Sequence, residues 1–417
     1  MRRLPVLVGI VAVLSLAGTQ SGTATVVHLP VTFWNNVATQ AVTIGRAGPP
    51  GLLDLAIVHL AVHDAVQAIE GRYEPYLFED ASAAGSTQAA VAAAAYGVLA
   101  GIYPTQRPGP MGLDQIYADY VALHGLGVDP GLDVGADAAA VLLAEYRPLL
   151  PLAPYSGVNE IGEWRSTPPA NLAMQFEFLA YTEPFTLLRP SQFRPEPPPP
   201  LTSGRYLRDY NEVKGKGAAV GSTRTITETD LAHFWSENFV AQWNRTLRTI
   251  ADMAVPDTGD SARLFALANT AAADAAITSW ESKIHFNFWR PITAIREGDN
   301  DGNNKTVGDP AWSSLVATPP YPDYTSGANN LTGAFTTILR LFFDTDEFGF
   351  SITSNAPLAV QKTRAYSRFS EVADEVVDAR IFLGIHFRFA DDAARDQGSH
   401  VAHWVFQKFL KPTPGGK

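Results

Sequence analysis

The chain has 417 residues, 46% of them hydrophobic and 18% charged, which is enough apolar material for one large core or two ordinary ones. A net charge of -11, from 31 basic against 42 acidic side chains, argues against nucleic acid or an anionic lipid surface as a partner. There is no cysteine, so disulfide scaffolds, thiol nucleophiles and Cys-ligated metal centres are excluded, and covalent or metal chemistry falls to nine histidines, the carboxylates and the hydroxyls.

Residues 1–24 read as an export signal. Arg2 and Arg3 are followed by the uncharged, mostly apolar run Leu4 to Leu16 and by Gly22-Thr23-Ala24, whose small residues suit signal peptidase. Cleavage near Ala24 is expected, by the general secretory or the twin-arginine route, to the periplasm or the exterior. Thr25 to Phe33 is the best strand candidate. Helical periodicity covers Leu52–Ile69, Gln88–Ile102, Ala136–Tyr146, Asp230–Ala254, Ser261–Trp289, Thr332–Phe343, Ala359–Leu383 and Asp391–Leu410. Ala81 to Gln106 is uncharged and long enough to span a bilayer, but it is Ala-rich and poor in large apolar residues, which predicts a buried helix and no stable membrane span after signal cleavage. Arg189 to Gly204 contains four consecutive prolines, cannot continue a helix, and reads as an extended spacer between helical halves at 25–188 and 205–412. The fold class is all-α, a packed helical bundle, possibly two related bundles.

Three segments carry candidate chemistry. In KIHFNFWRP, Lys283 and Arg290 are seven apart, ~700° of helical rotation, so on one helix both cations would share a face and favour an anion between them. An ion pair with Glu281 is the competing reading. In PPYPDYTSGANN, Ser326-Gly327 before a helix starting near Leu331 offers a hydroxyl and an unhindered amide near a positive helix terminus. In ARIFLGIHFRFAD, Gly384 predicts a break between Arg380 and His386.

In this order, Lys-x6-Arg-Pro, Ser-Gly and Arg-x5-His, the segments resemble the vanadium-dependent haloperoxidase and type 2 phosphatidic acid phosphatase superfamily. HLAVHDAVQAIEGRYEPY, FRPEPPPPLTSG and FWRPITAIREGDNDGN look like its bacterial haloperoxidase-like branch, and the resemblance covers most of residues 50–410. It implies a vanadate site, or a phosphate site in a phosphatase. Lys283, Arg290 and Arg380 would bind oxyanion oxygens, with Ser326 and the Gly327 amide completing the cradle. His386 would be the apical group, bonded to vanadium in a peroxidase or attacking phosphorus in a phosphatase. The implied substrates are peroxide and halide, or a phosphoester. One position departs from the pattern: the family's Pro-Ser-Gly-His is here Thr325-Ser326-Gly327-Ala328, and Ala328 cannot transfer a proton. Asp391 stands one place later than the phosphatase pattern has its Asp, which questions the usual orienting contact to His386. His285, close to Lys283 in sequence, is the first suspect for a substitute proton donor.

Other motifs carry less. His59 with His63, and His400 with His403, have metal-compatible spacing but no HExxH grammar and no evident third ligand, so core packing or surface hydrogen bonding is favoured. Asp299, Asp301 and Asn303 read as an Asx-rich turn rather than a calcium loop.

Overall fold

Proline in the first turn, or Ser, Thr, Asp or Asn just before it, marks most of the helix starts. The computed structural model describes residues 29–144 and 152–414, so the expected signal segment lies outside the described residues. The helices are α1 (Pro30–Gly45), α2 (Pro50–Glu70), α3 (Thr87–Ile102), α4 (Leu113–Leu123), α5 (Gly131–Ala144), α6 (Gly204–Lys216), α7 (Ile226–Phe234), α8 (Phe239–Ala254), α9 (Thr258–Phe286), α10 (Pro291–Arg296), α11 (Gly327–Phe343), α12 (Phe369–Phe382) and α13 (Arg388–Lys408). Strands β1 (Glu347–Thr353) and β2 (Thr363–Arg368) form an antiparallel hairpin between α11 and α12. The all-α expectation holds.

Several boundaries differ from the sequence reading for identifiable reasons. Of the strand expected at Thr25–Phe33, residues 30–33 form the first turn of α1, because Pro30 sits at a position where its fixed φ suits a helix. The helix expected over Asp230–Ala254 breaks after Phe234, and Asn238 starts the next one by accepting the amides of Val240 and Ala241. In the helix expected over Ala359–Leu383, Thr363–Arg368 is strand, pairing Tyr366 with Phe350, and the helix begins at Phe369.

Helix α9 is 29 residues long and buried on nearly every side, as an Ala-rich helix at the centre of a core must be. It packs against α2, α11 and α13, and one apolar core runs from Val31 in α1 to Leu410 after α13. Helix α2 is long and apolar enough to cross a membrane by composition, but it is buried inside the chain. The uncharged stretch at 81–106 contains α3, buried against α5. The Pro-rich arm lies across the second half: Arg194 pairs with Glu281 of α9, the Phe193 ring stands 6.3 Å from Trp404, and the Tyr324 hydroxyl donates to Glu196 O at 2.6 Å.

Candidate functional site

Four chain segments meet at one buried locus. Lys283 is on the last turn of α9. Asn287 then takes a left-handed conformation, φ 44°, and turns the chain so that Arg290 immediately precedes α10. Lys283 and Arg290 therefore converge across a chain reversal and not along one helix face, which corrects the rotational argument. The competing ion pair with Glu281 also fails, since that carboxylate is taken by Arg194. Ser326 is the residue before α11, so the helix starts at Gly327 and not near Leu331, and its first-turn amides accompany the hydroxyl. A Cβ at Gly327 would lie 3.3 Å from the Trp280 ring. Arg380 is near the end of α12. Gly384 then turns the chain with φ +79° where a Cβ would stand 2.4 Å from Gly217 O, so only glycine fits this reversal, which delivers His386.

Lys283, Arg290, Ser326 and His386 are buried, at 0%, 0%, 0% and 2% exposure, and burial at this depth makes every unpaired polar atom costly. Lys283 Nζ donates to the carbonyls of Pro322 at 2.8 Å, Asp323 at 3.2 Å and Thr325 at 2.5 Å. All three of its protons are committed to the loop, and an oxyanion oxygen would have to replace one of these carbonyls. Arg290 clamps two segments, donating through Nε to Tyr321 O at 2.7 Å and through Nη1 to Ile385 O at 2.6 Å. Arg290 Nη2, Arg380 Nε and the Ser326 hydroxyl are buried without a hydrogen-bond partner. The Tyr321 ring covers the cluster, centred 5.1 Å from Lys283 Nζ and 4.9 Å from Arg290 Cζ.

His386 is held by a residue that the motif reading passed over. Asp323, fully buried, places Oδ1 2.7 Å from His386 Nδ1, while Arg290 Nη1 lies 3.1 Å from Nε2. Neither Asp323 carboxylate oxygen reaches hydrogen-bond geometry, so its approach to the ring is a close electrostatic contact, and Arg290 Nη1 also lies 3.4 Å from Nδ1. Burial, then Arg290, Lys283 and Arg380, hold the imidazole well below its ordinary pKa and so neutral. Burial likewise drives Lys283 well below the usual lysine range, with Arg290 next among the causes. Asp323 is pushed up to about 7 by burial, against the pull of Arg290 and Lys283.

The other nominated groups go elsewhere. His285 is exposed and faces Arg194, with Nε2 3.4 Å from its Nη1, which removes it as a proton donor to this locus. Asp391 does not touch His386; its Oδ1 accepts from Asn329 at 2.7 Å. Asn330 donates to Gln397, which also accepts from the Thr325 hydroxyl. His59 is a buried core histidine 2.8 Å from Asn35 Nδ2, and His63 is 3.1 Å from Glu74 O. Among the described residues, no group of three or more His, Asp or Glu side chains is arranged to hold a metal ion. The Asx turn at Asp301 is present, with the Asn303 amide donating to its carboxylate at 2.8 Å.

Comparison with known proteins gives a consistent pattern. Residues 263–415 match the family model described as the VCPO second helical-bundle domain. The vanadium chloroperoxidase of Curvularia inaequalis is 25% identical, over 88% of this chain and 80% of that protein. A bacterial vanadium-dependent iodoperoxidase structure has a TM-score of 0.74 at 22% identity, covering 92% of this chain and 97% of the other. A holo-type bacterial vanadium-dependent chloroperoxidase has a TM-score of 0.69 at 19% identity, covering 89% and 95%.

Proposed function

We propose, from the premise that this chain belongs to the vanadium-dependent haloperoxidase and type 2 phosphatidic acid phosphatase superfamily, that it binds vanadate at this locus and uses peroxide to oxidise halide. The observation that carries the reading is the set of buried, unpartnered donors on Arg290, Arg380 and Ser326, one from each motif. Three donors at this depth are costly unless an acceptor of matching charge joins them, and a tetrahedral oxyanion is such an acceptor.

In this reading Arg290 Nη2, Arg380 and the Ser326 hydroxyl would hold the oxyanion together with the Gly327 amide. Lys283 holds the 322–325 loop and contributes positive charge. His386, kept neutral by burial and the surrounding cations, would present a ring nitrogen to the bound group. Vanadate supplies the Lewis acidity that activates peroxide. The absence of an imidazole at Ala328 makes the reaction slow, because general acid–base groups typically contribute on the order of 100- to 10,000-fold. Protein saturated with vanadate should retain it and oxidise iodide or bromide with peroxide. Failure to do either defeats the peroxidase reading.

The neutral state of His386 favours one alternative, an acid phosphatase in which a ring nitrogen attacks phosphorus, since a neutral imidazole is a competent nucleophile. A phosphoryl group trapped on His386 and lost in His386→Ala would establish that activity. No turnover of activated aryl phosphates would eliminate it. A third reading, a non-catalytic oxyanion-binding protein, rests on Ala328 alone. We further propose export, on the strength of Arg2-Arg3, the apolar run after them and Gly22-Thr23-Ala24. Protein recovered outside the cytoplasm should begin near Thr25, and an intact Met1 terminus there would refute cleavage.

A further inference from the structure

The locus contains a second buried carboxyl group with no role in the scheme above. Asp391, at 0% exposure, enters from the first turn of α13. Its Oδ1 is held by the Asn329 amide at 2.7 Å, while Oδ2 and the neighbouring Ser326 hydroxyl are both buried without a partner at hydrogen-bond geometry. The backbone ties the same pair together, since the Ser326 amide donates to Ala390 O at 3.2 Å. Asn329 and Ser326 flank the Gly327-Ala328 step where the family's imidazole is missing, so Asp391 is aimed at the part of the site that lost its acid–base group. It is also placed to sense what binds there: its charge acts on Lys283, Arg290 and Arg380 alike.

Resting on the oxyanion-site reading, we propose that Asp391 is the proton store that replaces the missing imidazole, exchanging its proton with the bound oxyanion through the Ser326 hydroxyl. In the forward direction the Asp391 carboxyl proton passes to Ser326 Oγ as the Ser326 hydroxyl proton passes to an oxyanion oxygen. Asp391 is left as a carboxylate, the hydroxyl is restored, and the reverse transfer resets the pair. No other reactant is needed. Asp391 acts through Ser326 and is a positioning and relay residue, not one that touches substrate.

Its surroundings suit the role. Burial holds the Asp391 carboxyl well above the usual carboxylate range, and Asp323 pushes the same way; the Ser326 hydroxyl, near enough to act on the carboxyl but outside hydrogen-bond geometry, pulls against them, as do Arg380 and the Asn329 amide. Lys283 and Arg290 are the other charged groups on which its charge acts. A bound anion adds repulsion toward the ionised form, so anion binding and Asp391 protonation must favour one another.

The test uses inorganic phosphate and the full exported chain. Phosphate affinity measured by calorimetry across pH should fall more steeply with rising pH in wild type than in Asp391→Asn, because the ionised carboxylate repels the anion. The change in charge of phosphate itself is common to both proteins and cancels in the ratio. Ser326→Ala should bind more weakly yet keep the wild-type pH dependence, because the store remains and only its outlet is gone. In vanadate-loaded protein, both variants should lose at least tenfold in iodide oxidation at unchanged thermal stability. Superimposable pH profiles and turnover for wild type and Asp391→Asn would overturn the relay while leaving the oxyanion site intact. Absence of phosphate and vanadate binding in wild type would overturn both.

Discussion

Ala328→His raises vanadate-dependent iodide oxidation on the order of 100- to 10,000-fold in an Asp391→Asn background, and by a smaller factor in wild type. The difference between backgrounds follows from two routes to one proton. In wild type the carboxyl relay already serves the oxyanion, so an imidazole adds a faster path beside an existing one. In Asp391→Asn there is no store behind Ser326, and the imidazole restores a step that is otherwise missing. Position 328 can accept the larger side chain because Ala328 is only partly buried, in the first turn of α11. Vanadate affinity should be nearly unchanged, since the anion-binding donors are on other residues. Steady-state rates in both backgrounds, with vanadate titrations beside them, decide the matter. Absent gains would show that proton delivery does not limit the reaction, and equal gains would show that Asp391 supplies no route of its own.

The sequence made the components of the site legible better than their arrangement. Ser326, Gly327, Arg380 and His386 are nominated by local grammar, and Gly384 was readable as a break because a left-handed turn needs glycine. Bringing Lys283 and Arg290 together was expected from helical rotation, yet it depends on the reversal at Asn287, and a non-glycine residue with positive φ has no reliable local signal. Asp323 was invisible as a partner of His386 because the contact joins positions 63 apart in sequence. A carboxylate three residues before Ser326, inside the apolar PPYPDYT, was the available hint. The β-hairpin was missed although EFGFSIT alternates as a strand does, since the helix-forming composition after Ala359 drew the following residues into one long helix. Asn238, a good N-cap, was the overlooked mark of the break between α7 and α8.

Two arginines of the same cluster should respond in opposite ways to the same substitution. Arg290 is a structural clamp as well as a charge: its loss frees the carbonyls of Tyr321 and Ile385 and removes a cation 3.7 Å from buried Asp323. Breaking a buried pair by removing one partner typically costs about 3–5 kcal/mol, so Arg290→Met should be destabilised by about that amount even without an anion. Arg380 makes one hydrogen bond among the described residues, to Trp235 O at 3.2 Å, and burial disfavours its charge by more than Tyr321 and Asp391 favour it, with Arg290 opposing it as well. Removing it relieves that desolvation, so Arg380→Met should leave the stability of the anion-free protein unchanged or raise it. Both variants should lose the stabilisation that phosphate gives wild type, which at one hundred times the dissociation constant is about 2.7 kcal/mol. Urea denaturation with and without phosphate separates the two effects. An Arg380→Met protein that still gains wild-type stability from phosphate would place the anion elsewhere, because a buried guanidinium with an unpaired Nε can be removed without affecting an anion only if the anion never met it.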